Sequence, residues 1–93
     1  MVIKLLTIDL HFPGRSSLKE KRFVLSSVKT KLARQFNVSI AEIDYHDKWQ
    51  RSKLAIVTVG SDGVMAQSTC DKLIKKLESD HRLSILNCEQ EVL

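Results

Sequence analysis

Proline occurs once and glycine three times in the 93 residues, so the chain is neither collagen-like nor a flexible linker. Cysteine is also scarce. Cys70 and Cys88 stand alone, with no second pair to build a disulfide framework. No uncharged stretch is longer than Leu54 to Ser61, far short of the roughly 20 residues that cross a bilayer, and no membrane association is expected. The opening Met1-Val2-Ile3-Lys4 does not read as a secretory leader. A cytoplasmic protein with reduced thiols is therefore the expectation.

Catalytic and metal spacings are missing as well. His11, His46 and His81 are scattered singly, without the His/Cys/carboxylate pattern of a zinc site. His46 beside Asp47 does not make a triad, because no Ser or Cys can be assigned as its nucleophile. The Lys-Ser/Thr ending of a phosphate-binding loop is absent after Gly60-Ser61-Asp62-Gly63, which reads better as a turn and helix cap. No enzyme, metal or cofactor is expected from these patterns.

What remains is one compact domain spanning 1–93, with 43% hydrophobic and 28% charged residues. Val2 to Phe12 alternates, with Leu6, Ile8, Leu10 and Phe12 on one face, which predicts a strand closed by Pro13-Gly14. Ser17 and Glu20 form a capping-box pattern at the head of a helix. Leu18, Leu25, Val28, Leu32 and Phe36 carry its apolar stripe. Val38 to Tyr45 and Lys53 to Ser61 predict two further strands, joined by a polar loop over 47–52. A second helix follows, capped by Ser61 or Asp62, with Ala66, Cys70, Leu73, Ile74 and Leu77 facing inward. Arg82 to Val92 is the last strand.

The order βαββαβ contains two crossovers, and right-handedness sets both helices on one side of the sheet. The predicted class is α+β and ferredoxin-like, a four-stranded antiparallel sheet of order 4-1-3-2 with two helices on one face. Its other face is apolar along strands one and three and carries no aromatic on strand three, which argues against base stacking there. A homodimer through this open face is expected, because so apolar a surface is a liability in a monomer.

Charge is unevenly spread. Arg15, Lys19, Lys21, Arg22, Lys29, Lys31 and Arg34 face only Glu20 between 15 and 35, a net +6 that leaves −2 for the rest of a chain totalling +4. Such a cluster attracts a polyanion, while its plain alternative is a solvated helix face. Lys21 falls inside the apolar stripe and needs a carboxylate, with Asp9, Glu42 and Asp44 as candidates, unless it serves an anion site. Tyr45-His46-Asp47-Lys48-Trp49-Gln50-Arg51 interleaves aromatics with charge on a loop. Trp49 either stacks on a base or caps the core, and Phe23, off the main stripe, either packs under this loop or joins an interface.

Three segments, Ser17-Leu18-Lys19-Glu20-Lys21-Arg22, Phe36-Asn37-Val38-Ser39-Ile40-Ala41-Glu42 and Asp47-x-Trp49-Gln50-Arg51, resemble the YlxP-like family of small bacterial proteins, a domain of unknown function. The resemblance implies a ferredoxin-like fold, a cytoplasmic protein, and a gene neighbourhood of translation initiation and small-subunit ribosome maturation. It supplies no catalytic residues. The expectation is a non-enzymatic protein that binds RNA or a ribosomal subunit. Arg15, Lys19, Lys21, Arg22, Lys29 and Arg51 would contact phosphate, and Trp49 would stack. The alternative is a homodimeric regulatory or scaffold domain that binds a protein partner and no nucleic acid. A third reading is an enzyme acting on an anionic small molecule at Lys21.

Overall fold

A computed structural model describes the whole chain, residues 1–93. Its elements are β1 (Val2–His11), α1 (Leu18–Gln35), β2 (Val38–Asp44), β3 (Arg51–Gly60), α2 (Gly63–Glu78) and β4 (Ser84–Val92). The sheet order is β2-β3-β1-β4, with every neighbouring pair antiparallel. Read from the other edge this is the predicted 4-1-3-2.

The two-residue period of β1 sends Leu6, Ile8 and Leu10 to the helix side, with Phe12 just beyond the strand, and all four are buried. Leu54 and Ile56 of β3 join them from the neighbouring strand. Val24, Leu25, Val28 and Leu32 of α1 close the core, together with Cys70, Leu73 and Leu77 of α2. The stripe predicted for α1 is buried at Leu25, Val28 and Leu32 and joined there by Val24, whereas Leu18 and Phe36, the latter just past the helix, are only half-buried.

Capping follows the sequence with one displacement. Ser17 Oγ accepts the Glu20 amide at 3.1 Å, but the Glu20 carboxylate takes the amide of Ser16 at 2.9 Å, not that of Ser17. Asp62 caps α2 by accepting the Met65 amide at 2.8 Å. Gly60 must lack a side chain, because a Cβ there would lie 2.7 Å from the Ala66 nitrogen in the first turns of α2.

Five strand ends differ from the sequence reading. β1 stops at His11 and not Phe12, and β3 at Gly60 and not Ser61. β3 starts at Arg51, because Arg51 and Ser52 pair with His11 and Leu10. β4 starts only at Ser84, since Arg82 folds onto Asp80 through both its amide and its guanidinium. β2 stops at Asp44 because Tyr45 has φ 61°, left-handed backbone that a bulky residue rarely adopts. No helix is long and apolar enough to cross a membrane.

Candidate nucleic-acid interface

The ion pair that organises this region is buried. Lys21 is 0% exposed, and its Nζ lies 3.0 Å from Glu42 Oε2. The same ammonium donates to the Tyr45 carbonyl at 2.6 Å. Ser52, also buried, donates its hydroxyl to Glu42 Oε2 at 2.6 Å. One lysine thus ties the first turns of α1 to the end of β2 and the loop that follows. Both charges have hydrogen-bonding partners, which makes their removal from water tolerable.

This network corrects the assignment of Lys21 as a phosphate contact. Its ammonium is spent inside the protein on Glu42 and Tyr45, so no polyanion reaches it. Of the three carboxylates considered, β2 directs Glu42 toward the helices, and the irregularity between Glu42 and Asp44 shifts the alternation beyond it. Ser52 lies outside the strand that the sequence predicts from Lys53, so its inward position is not apparent there. A polar residue continuing the inward positions of Leu54 and Ile56 was the available signal.

Burial pushes the Glu42 carboxyl upward, but the Ser52 hydrogen bond and the Lys21 ammonium outweigh it, and the group titrates below its ordinary 4.5. The hydrogen bonds from Arg82 hold Asp80 at about 2, against an ordinary 3.8. A carboxyl whose pKa falls on folding stabilises above its unfolded value, and the contribution disappears as pH drops through the folded value. Stability should therefore fall as pH is lowered below 4.5, with the Asp80 contribution lost between 3.8 and about 2. Urea midpoints measured across this range should show the fall. The decline should be shallower in Glu42→Gln and in Asp80→Asn, each over its own window.

The other cations behave differently. The chain closes only two salt bridges, Lys21–Glu42 and Arg82–Asp80. Arg15, Lys19, Arg22, Lys29 and Arg51 have no carboxylate partner, and the one acid among the α1 cations, Glu20, is engaged by Ser16. Lys19 and Arg22 are exposed, whereas Arg15, Lys29 and Arg51 are half-buried. At about 100° per residue Arg22 and Lys29 share one flank of α1, about 10 Å apart along its axis.

The loop between β2 and β3 brings Arg15 and Arg51 to the same end. Gln50 donates from Nε2 to the Arg15 carbonyl at 3.2 Å, and its own carbonyl accepts the Phe12 amide at 2.9 Å. The Arg51 guanidinium carbon lies 4.5 Å above the Tyr45 ring, a cation–π contact. The Nε atoms of Arg15 and Arg51 are buried without an acceptor. Trp49 is 53% exposed beside Lys48 and Gln50, so it does not cap the core. Phe23 is 73% exposed on α1 and does not pack under the loop.

Elsewhere the chemistry is quiet. No three His, Cys, Asp or Glu side chains converge as a metal set. Burial raises the thiol pKa of both Cys70 and Cys88, the opposite of an activated nucleophile. Lys4, overlooked in the sequence, is buried and donates to the side-chain carbonyls of Gln67 and Gln90. The groove between the helices holds about 330 Å³ and includes Lys31, Lys76 and the neutralised Asp80–Arg82 pair.

Comparison with known proteins agrees with this geometry in fold and assigns no chemistry. A family model described as "Protein of unknown function (DUF503)" matches residues 3–90. The "Uncharacterized protein YlxP" of Bacillus subtilis (strain 168) is 41% identical over 63 residues, 68% of each chain. Among solved structures, a de novo designed protein with a ferredoxin fold superposes with a TM-score of 0.50 at 13% identity, covering all of this chain and 84% of the other. At that identity the likeness concerns fold alone.

Proposed function

The chain belongs to the DUF503 family, and because that family description assigns no activity, we propose from the geometry of its cationic end that the protein is a non-enzymatic RNA-binding domain, and, from the gene neighbourhood that the family resemblance implies, that it docks on a ribosomal subunit. The proposal gives it a cytoplasmic site of action, where Cys70 and Cys88 stay as free thiols. The observation that carries the reading is the set of cations at one end of the molecule without carboxylate partners, Arg15, Lys19, Arg22 and Arg51, beside the half-exposed Trp49. Cations left unpaired release counterions from a phosphate backbone when they bind it. An exposed indole among them provides a stacking surface for an unpaired base. Lys29 extends the contact along α1. Lys21 shapes the region by holding the loop and touches no ligand.

Phosphate contacts fix orientation and carry little sequence information, so recognition follows the shape of a folded RNA and its unpaired bases. Retention of a small-subunit ribosomal RNA fragment on filters tests this. Saturable binding at about 0.05 M salt that weakens several-fold by about 0.2 M is the expected result. Absence of retention at the lower salt overturns the reading.

A further inference from the structure

We propose that the helix-free face of the sheet seats a second copy of this chain, docked face to face about a two-fold axis along the seam between β1 and β3. The outward positions of β1 are Ile3, Leu5, Thr7, Asp9 and His11, and those of β3 are Arg51, Lys53, Ala55, Val57 and Val59. The ladder places Ile3 opposite Val59, Leu5 opposite Val57, Thr7 opposite Ala55 and Asp9 opposite Lys53. One end of this seam is therefore an aliphatic patch, and the other holds Asp9 and Lys53 side by side, with His11 and Arg51 beyond them at the rim.

A two-fold axis along the seam turns that layout onto itself. It lays β3 of one copy over β1 of the other at the same height along the strands. Val57 then meets Leu5 of the second copy, Val59 meets Ile3, and Lys53 meets Asp9, each contact made twice. Charge complementarity selects a second copy over other occupants. Lys53 closes no salt bridge within its own chain, and Asp9 leaves Oδ1 without a donor. Small residues, Ala55 and Ala41, let two sheets approach to the roughly 10 Å of aligned face-to-face packing. Glu89 and Glu91 of β4, exposed beside Thr7 and Leu5, fall over the Ala41 and Ser39 edge of the other copy and remain at the solvated rim.

The axis runs parallel to the strands, so both copies present Arg15 and Trp49 at the same end of the assembly, where Arg51 of each copy lies at the rim over His11 of the other. The pairing does not depend on RNA binding, and its test uses protein free of nucleic acid, so either idea fails alone. Light scattering coupled to size exclusion at micromolar concentration should give twice the 10.6 kDa of one chain. A one-chain mass at about 100 µM, a concentration at which even a weak specific dimer associates, overturns the proposal. Val57→Arg should give a monomer with an unchanged circular dichroism spectrum, and a surviving dimer would contradict the interface. Lys53→Asp should raise the dissociation constant about a hundredfold, because the new repulsion occurs twice. Adding Asp9→Lys should recover most of that loss. A Lys53→Asp dimer as tight as the parent, or no recovery in the pair, overturns the two-fold arrangement.

Discussion

Lys21→Met should lower the unfolding free energy by about 3–5 kcal/mol, a large share of the 5–15 kcal/mol typical of a small domain. Methionine keeps the length and apolar character of the stem, so the loss comes from what the ammonium leaves behind. Glu42 would remain as a largely buried carboxylate with only Ser52 as a donor, and the Tyr45 carbonyl would lose its partner. An uncompensated charge in that position costs several kcal/mol because water cannot reach it freely. Tyr45 adds to the effect, since its left-handed backbone is strained by roughly 1–3 kcal/mol and its carbonyl is held by Lys21.

The double variant Lys21→Met with Glu42→Leu separates the two causes. Replacing both charges by apolar groups of similar volume is commonly neutral or stabilising. The pair should therefore recover most of the stability lost in Lys21→Met, while Tyr45 stays without its donor. The check is the urea midpoint at constant m-value, which reports stability without a change in the denatured state. A loss below about 1 kcal/mol in the single variant would mean that water enters and solvates Glu42.

The fold was legible because both hydrophobic periods were clean. Leu6, Ile8 and Leu10 alternate with polar or less buried residues along β1, and Val24, Leu25, Val28 and Leu32 recur at helical spacing, so each element announced its inner face. Lys21 was legible as an anomaly, a cation within that stripe. Its partner was not, because the choice among Asp9, Glu42 and Asp44 depends on strand register and on the irregularity after Glu42. A one-residue slip sends a side chain to the opposite face. The conformation of Tyr45 was also hidden, since a left-handed residue there would be expected to be Asn or Gly. The exposure of Trp49 and Phe23 depends on how the loop is tied to Arg15, Phe12 and Lys21, long-range bonds that no local pattern encodes.

The cationic end is tested most directly by neutralising Arg15, Lys19 and Arg22 together with glutamine and measuring RNA affinity against salt. None of the three side chains forms an ion pair, so their replacement should leave thermal unfolding nearly unchanged. Each lost phosphate contact lowers the slope of log K against log salt by about 0.7 on single strands and 0.9 on duplex. The triple variant should therefore show a slope shallower by about two units or more, and a low-salt affinity reduced by a hundredfold or more. A matched variant, Lys72→Gln with Lys75→Gln and Lys76→Gln on α2, removes the same net charge elsewhere and should keep the parental slope. Equal slopes in parent and triple variant, or a larger loss in the α2 variant, would contradict a phosphate-binding role for this end of the molecule.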